Sequence, residues 1–346
     1  MFGNLNDTNT ALLAGAFTIR PPTTEDIAGI VEVVNASSLD EGDLPDFTEE
    51  EALDDWQHLG FDPATDAWVA VTPDGRIAGY ELVWVRDPTN FEADGYVHPE
   101  FAGRGIGTAL LRRAQAWTAK RVAATAPGAA GRLRASVSRA NAAARSLLLR
   151  EGFTPIRHFW RMGIDLDAPP PEPAWPAGIT VRTFVPGQDD HPAYVAIEEA
   201  FTDHWDHVPQ TFEQWADRHL LSERFDPSLS FLAFDGGEIA GSVMAYYRAE
   251  GGWVGNLGVR RPWRQRGLGM ALLLRAFGAF YRRGTHQVGL GVDALNPTGA
   301  TRLYERAGMR VIARYETCEK WIEPACGEGS GADASVRVGA SSYARR

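Results

Sequence analysis

Apolar and polar positions follow one scheme twice along the chain. In the second half, "SFLAF" and "GSVMAYYR" flank the turn "DGGE" and predict two strands of a hairpin. "WVGNLGV" predicts a further strand that runs through a glycine-rich turn into a helix. In the first half, the corresponding helix carries an apolar stripe of Ile106, Leu110, Ala114 and Trp117, with Arg112, Arg113 and Gln115 facing away. This order predicts an α/β arrangement in which a strand feeds a helix through glycines.

The scheme is an internal repeat. "TIRPPTTEDIAGIVEVV" from Thr18 matches "TVRTFVPGQDDHPAYVAI" from Thr180, and the same spacing separates Gly105 from Gly267. The proline-rich segment 167–178 separates the copies and favours an extended spacer over packed structure. We therefore expect domains at 17–166 and 179–324, joined by a linker. Residues 325–346 are small, polar and aperiodic, and are predicted to be a disordered tail.

Composition narrows the class of partner. A net charge of −11 over 346 residues disfavours nucleic acid or an anionic membrane as the main partner. Two cysteines provide neither a disulfide framework nor a cysteine-rich metal site. The N-terminus lacks the basic start of a signal peptide, and no apolar run is long enough to span a bilayer. The sequence therefore predicts a cytoplasmic protein that acts on a small molecule.

The two glycine-rich turns are suited to binding an anion. Each turn, "RQRGLG" at 264–269 and "GRGIG" at 103–107, leads directly into a helix. The first turn of a helix leaves backbone N–H groups unpaired, and glycines let a diphosphate approach them. Leu272 stands where a dinucleotide fingerprint needs a third glycine, and the Gly-Lys-Ser/Thr of a phosphate-binding loop is absent from the sequence. The turns predict cradles for the pyrophosphate of another nucleotide.

A family resemblance rests on these residues. Arg264-x-x-Gly267-x-Gly269, followed by "NPTGATRLYERAGM", resembles the acetyl-CoA-binding signature of the GNAT superfamily of N-acetyltransferases. The resemblance covers both copies, roughly residues 17–165 and 179–323, and two such domains in tandem resemble the architecture of the mycothiol synthases. It implies two tandem GNAT folds, each a mixed, mostly antiparallel sheet flanked by helices.

The resemblance also implies a reaction, in which an amine directly attacks the thioester of acetyl-CoA, the co-substrate. Tyr304 would protonate the departing thiolate. The residues implied to bind the coenzyme are Leu257, Gly258 and Val259 on the strand, Arg264, Gln265, Arg266, Gly267, Leu268, Gly269 and Met270 at the turn, Asn296, and Gly103, Arg104, Gly105 and Gly107 in the first copy.

Several assignments have alternatives. Tyr304 could be an ordinary core tyrosine, and Asn296 could fasten the cofactor or only start the helix that carries Tyr304. The resemblance implies a general base that is either an acidic side chain or a water chain, from varied positions. The segment between two helices that should border the acceptor cleft supplies Glu198, Glu199, Asp203, His204, Asp206 and His207. Metal binding by this loop is disfavoured, because its members cannot all face one way. Trp205, Tyr246 and Tyr247 either line the cleft or belong to the core.

The copies differ at two decisive positions. The first has Ala102 where the second has Arg264, and Leu148 where the second has Tyr304. The first domain is therefore predicted to be degenerate and the second catalytic. The leading interpretation is an acetyl-CoA-dependent N-acetyltransferase for a primary amine of a small molecule, without a metal and either monomeric or homodimeric. The alternative is a non-catalytic acyl-CoA-binding or scaffolding protein, and Tyr304 favours the enzyme because a pure binder does not need it.

Overall fold

A single sheet runs through the whole protein in the computed structural model, which describes residues 17–45, 47–222, 224–248 and 251–325. The N-terminal start and the tail from residue 326 onward lie outside the described residues. The strands are β1 (Thr18–Arg20), β2 (Ala67–Val71), β3 (Ile77–Asp87), β4 (Asn90–Val97), β5 (Gly131–Ser138), β6 (Thr154–Asp165), β7 (Ile179–Thr183), β8 (Phe231–Asp235), β9 (Glu238–Arg248), β10 (Gly251–Val259), β11 (Gln287–Asp293) and β12 (Arg310–Ile322).

Helices cover both faces of this sheet. They are α1 (Ile27–Asp40), α2 (Glu49–Gln57), α3 (Pro63–Asp66), α4 (Ile106–Thr125), α5 (Ala142–Arg150), α6 (Asp190–Phe201), α7 (Phe212–His219), α8 (Leu268–Arg282) and α9 (Ala300–Arg306). Capping boxes at Thr48 and Thr211 begin α2 and α7 by satisfying their first N–H groups. The predicted stripe on α4 is confirmed, since Ile106, Leu110 and Ala114 are buried.

The strand order is β1-β2-β3-β4-β5-β12-β6-β11-β10-β9-β8-β7. Neighbours pair antiparallel, except that β4 runs parallel to β5 and β10 runs parallel to β11. The expected mixed, mostly antiparallel sheet flanked by helices is therefore confirmed. The sequence did not predict that the two copies share one sheet.

The copies exchange their last strands. β6, from the first copy, pairs with β11, whereas β12, at the end of the second copy, pairs with β5. β6 and β12 also pair with each other at the centre of the sheet. As a result, Cys318 and Ile322 of β12 are buried in the apolar core of the first copy. The core of the first half depends on residues from the end of the chain.

Alternate residues of the strands face two layers of helices. On one face, α4 and α5 cover the first half of the sheet and α8 and α9 cover the second. On the other face, α1 and α2 cover the first half, and α6 and α7 the second.

The segment 167–178 contains no helix or strand but is packed, since Trp175 contacts the core beneath α8 and Pro170 lies beside Gly278. The segment is therefore held against the second half, whereas the sequence favoured a spacer outside packed structure.

Candidate active site

A slot opens between β10 and β11. These parallel strands pair only at Gly252–Val288 and Trp253–Gly289. Beyond that point β10 pairs with β9 alone, and a bulge interrupts their register between Val254 and Asn256. Leu257, Gly258 and Val259 thus lie on a strand edge that has separated from β11 and leads to the glycine turn.

The glycine turn at the end of β10 has a constrained backbone. Gly267 has a φ of 85°, and Gln265, which is not a glycine, has a φ of 63°. A left-handed conformation at a non-glycine residue costs energy and is concentrated at functional sites. In the first half, Gly103 and Gly105 adopt the same conformations, with φ values of 75° and 84°. The two turns therefore share one backbone shape.

The backbone conformation of these turns leaves a series of N–H donors without an acceptor. Within the described parts of the chain, the backbone N–H groups of residues 265–270 have no hydrogen-bond acceptor, and those of residues 103–108 have none either. A Cβ atom built on Gly267 meets nothing within 4 Å, so the space in front of these groups is open. Free amides at the start of the 15-residue helix α8 suit a pyrophosphate group. The residues present therefore fit the phosphates of a coenzyme.

The Arg264 side chain is held by contacts within the protein. Its guanidinium donates to Val259 O at 2.9 Å, to Asp203 Oδ2 at 2.6 Å and to Ala200 O at 3.0 Å, and its backbone N–H donates to Arg261 O. Arg264 therefore connects the glycine turn with β10 and with the end of α6. Arg266, by contrast, is exposed and forms no ion pair with a described residue.

Tyr304 lies in the core directly beside this turn. Its helix α9 packs on the start of α8, where a Cβ on Gly269 would lie 3.1 Å from Leu303 Cδ1. The side chain is only 8% exposed, and its hydroxyl has no hydrogen-bond partner among the described residues. Burial raises the pKa of Tyr304 to about 12, so the phenol keeps its proton at neutral pH.

The same packing aligns Leu148 with Tyr304. In the first half, a Cβ on Gly107 would lie 3.3 Å from Leu147 Cδ2, which repeats the contact between Gly269 and Leu303. Leu148 follows Leu147 as Tyr304 follows Leu303, and it is 6% exposed. The first half therefore places an aliphatic side chain where the second half places a phenol.

Asn296 supports a turn. Its Oδ1 accepts hydrogen bonds from Thr298 N at 2.8 Å and Thr298 Oγ1 at 2.5 Å, immediately before α9. These contacts form a turn that leads into the helix that carries Tyr304.

The acidic loop after α6 is engaged in ion pairs. Asp203 pairs with Arg261 and Arg264, which holds the pKa of its carboxyl well below the usual range. Glu199 pairs with Arg260 at 2.7 Å, Asp206 pairs with Arg134, and Glu198 lies 3.2 Å from His207. No three metal-ligating side chains come together in the part of the chain that the structure describes.

The aromatic candidates separate into different environments. Trp205 lies between the guanidinium groups of Arg134 and Arg157, at 4.8 Å and 5.3 Å from its ring centre. Tyr246 lines a cavity beside the β10 bulge. Tyr247 lies on the opposite face, where its ring is 5.5 Å from that of Phe280.

That cavity lies on the face of the sheet opposite α8 and α9, and measures about 240 Å³. The bulge residues Gly255 and Asn256 form one wall. The other walls come from both halves, because α2 and the segment after α7 meet above it, where Ser222 Oγ donates to Asp54 Oδ2 at 2.8 Å. Asp55 also lines the cavity. The contribution of α2 could not be predicted, because nothing in the local sequence pattern of this helix shows that it reaches the other copy.

A buried carboxyl lies between β3 and β4 of the first half. Glu81 is 4% exposed and lies over Gly95, whose Cβ would be 2.1 Å from Glu81 Oε2. Burial raises the pKa of this carboxyl to about 8, and no described residue forms a hydrogen bond or ion pair with it. The corresponding cross-strand pair in the second half, Val243 and Leu257, is apolar.

Comparison with known proteins places this geometry in a family. The model of the Acetyltransferase (GNAT) family matches residues 33–153 and 192–309. The mycothiol acetyltransferase of Thermobispora bispora is 36% identical over 245 residues, which cover 68% of this chain and 77% of that protein. The mycothiol acetyltransferase of Streptomyces scabiei is 35% identical over 245 residues, covering 70% of this chain and 74% of that protein.

Solved structures agree on the architecture. The crystal structure of a GCN5-related N-acetyltransferase from Sphaerobacter thermophilus is 42% identical, with a TM-score of 0.77 over 90% of this chain and 97% of that chain. A tandem GNAT protein from the clavulanic acid biosynthesis pathway shares the fold at 17% identity, with a TM-score of 0.68 over 90% of this chain and 100% of that chain. No helix in the described ranges is long and apolar enough to cross a membrane. The chain belongs to the Acetyltransferase (GNAT) family, and it is an N-acetyltransferase built from two tandem GNAT domains.

Proposed function

We propose that this protein transfers the acetyl group of acetyl-CoA to a primary amine of a small molecule, and that the second half performs the reaction. The observation that carries this proposal is the difference at one position. Tyr304 lies beside the second glycine turn with a free hydroxyl, whereas Leu148 occupies the same place beside the first. An aliphatic side chain has no proton to give to a leaving thiolate.

Acetyl-CoA supplies a thioester whose carbonyl carbon accepts the amine and whose sulfur departs as a thiolate. In the second half, the free amides of residues 265–270 and the exposed Arg266 bind the phosphates. The separated edge at Leu257 and Val259 offers backbone groups to the pantetheine arm and to the oxygen on which negative charge develops. Tyr304 holds the proton that the thiolate takes.

The first half supports the fold and keeps a coenzyme cradle without a catalytic site. Its free amides at residues 103–108, with Gly103, Arg104, Gly105 and Gly107, match those of the second half in backbone shape. However, the first half holds the buried carboxyl of Glu81 on β3 and has Leu148 in place of the phenol. We infer that a coenzyme bound there would not be turned over.

The acceptor enters from the opposite face of the sheet, through the cavity at the β10 bulge. A volume of about 240 Å³ suits a compact acceptor, since pockets for drug-sized ligands usually exceed about 300 Å³. The relatives named mycothiol acetyltransferase also support a small-molecule substrate.

A direct test is an acceptor screen with the full-length protein. Glucosamine, ethanolamine, spermidine and L-lysine represent four classes of primary amine. Each would be incubated with acetyl-CoA, the free thiol would be measured over time, and the product would be identified by mass spectrometry. The proposal expects amine-dependent thiol release with an acetylated product for at least one class, abolished in Gly267→Val. Release that is independent of every amine in a broader screen, or unaltered in Gly267→Val, would contradict it.

A further inference from the structure

The cavity beside the β10 bulge brings a carboxylate of the first half into the site of the second. Asp55 lies on α2, and it lines this cavity together with Gly255 and Asn256. The β10 residues that line the cavity include Trp253, at the last pair that β10 forms with β11, and Asn256, just before the separated edge at Leu257. An amine that enters through this cavity would therefore lie beside Asp55.

The acidic side chains of the loop after α6 that were candidates for the base are already engaged. Glu199, Asp203 and Asp206 pair with arginines, and Glu198 pairs with His207. Of the two described carboxylates that line the cavity, Asp54 accepts a hydrogen bond from Ser222. Asp55 has no hydrogen-bond donor among the described residues, and the imidazole Nε2 of His58 is 3.9 Å from its Oδ1. Its side chain is 29% exposed, so a small molecule can reach it.

We propose that Asp55 is the general base that takes the proton from the acceptor amine, so that the active site of the second half is completed by α2 of the first. This inference rests on the proposed function. As the carbon–nitrogen bond forms, the amine proton passes to the Asp55 carboxylate. The carbon–sulfur bond breaks, the thiolate takes the Tyr304 proton, and both residues return to their starting states by exchange with water.

The environment of Asp55 suits this role. Burial raises the pKa of its carboxyl to about 7, close to the operating pH at which a general base is most effective. Asp94, Asp54 and Glu51 raise that pKa further, and Arg224 lowers it. His219, on the neighbouring helix α7, has a pKa that burial lowers to about 4, which makes it a much weaker base. The charged or titratable groups around Asp55 are Glu51 and Asp54 on α2, His58 just after it, Arg218 and His219 on α7, Arg224 beyond it, Tyr80 on β3, Asp94 and Tyr96 on β4, and Tyr246 on β9.

The test is the pH dependence of kcat/KM for the best amine of the screen, measured in the full-length protein between about pH 5 and 9. A base must be unprotonated to act, so the wild type should lose activity below about pH 7. Asp55→Asn should lower kcat/KM by about 10²-fold or more and remove this acidic limb. Asp55→Glu, which keeps a carboxylate, should restore part of the rate and the limb.

Two controls make the result specific. Glu50→Gln removes a charge from the exposed side of the same helix and should leave kcat/KM within about twofold. Acetyl-CoA affinity, measured by calorimetry, should be unchanged in Asp55→Asn, because the glycine turn leads into α8 on the other face.

If Asp55→Asn retains both its rate and its acidic limb, Asp55 is not the base. If the wild type acetylates no amine at all, the proposed function itself fails, and the two failures are therefore distinguishable.

Discussion

The guanidinium of Arg264 lies 2.6 Å from the carboxylate of Asp203, and this pair joins the second glycine turn to the end of α6. The first half has Ala102 at the corresponding position and lacks this connection. We therefore expect the arginine of the family signature to hold the turn in shape in this protein.

Asp203→Asn tests this positioning role. Losing the charge should loosen Arg264 and let the turn sample other conformations, so the Kd for acetyl-CoA should rise about threefold to tenfold. Asp226→Asn removes a similar pair with Arg283 at the other end of α8 and should leave the Kd unchanged. Equal affinities for both variants, measured by calorimetry, would show that the pair does not shape the cradle.

Tyr304→Phe removes the proposed proton donor and keeps the ring that packs in the core. Because the phenol retains its proton at neutral pH, its loss should lower kcat by about 10²-fold or more, with little change in the Kd for acetyl-CoA. Pre-steady-state kinetics would establish that the chemical step limits the rate. An unchanged rate of that step would exclude Tyr304 as the acid.

Glu81 predicts a pH dependence of stability. The carboxyl titrates near pH 8 in the folded protein because it is buried, whereas its ordinary pKa is 4.5. The stabilising contribution of the bound proton is complete below about pH 4.5 and is lost as the pH rises through about 8. Glu81→Gln imitates the protonated form, so it should raise Tm by several degrees at pH 9 and by little at pH 5.

Glu25→Gln, at an exposed position, should change Tm at neither pH. A Tm of Glu81→Gln that follows the wild type at both pH values would contradict the buried, unpaired carboxyl.

The strand exchange predicts that the two halves are interdependent. A chain ending at residue 308 lacks β12, which leaves β5 without its partner and removes Cys318 and Ile322 from the first core. We expect this chain to lose the cooperative unfolding transition of both halves, followed by circular dichroism. A chain ending at residue 325 keeps β12 and should unfold as the full-length protein does. A folded first half without β12 would contradict the exchange.

The repeat, the two glycine turns and the difference between Leu148 and Tyr304 could be predicted from the sequence, because each is visible in short stretches of the chain. The strand exchange could not be predicted from local sequence features, because β6 and β12 have the same local pattern whichever half of the sheet they join. The role of Arg264 depends on Asp203, and that of Asp55 depends on α2 meeting the segment after α7. Such long-range contacts leave no periodic signal in the sequence.

The central claim is that catalysis belongs to the second half, and one paired measurement tests it most directly. Gly267→Val and Gly105→Val introduce the same side chain at turns with φ values of 85° and 84°, so the backbone strain is matched. Turnover with acetyl-CoA and the best amine should be abolished in Gly267→Val and should remain within a few-fold of the wild type in Gly105→Val. A folded protein that loses turnover through Gly105→Val and retains it in Gly267→Val would place the active site in the first half and contradict the account.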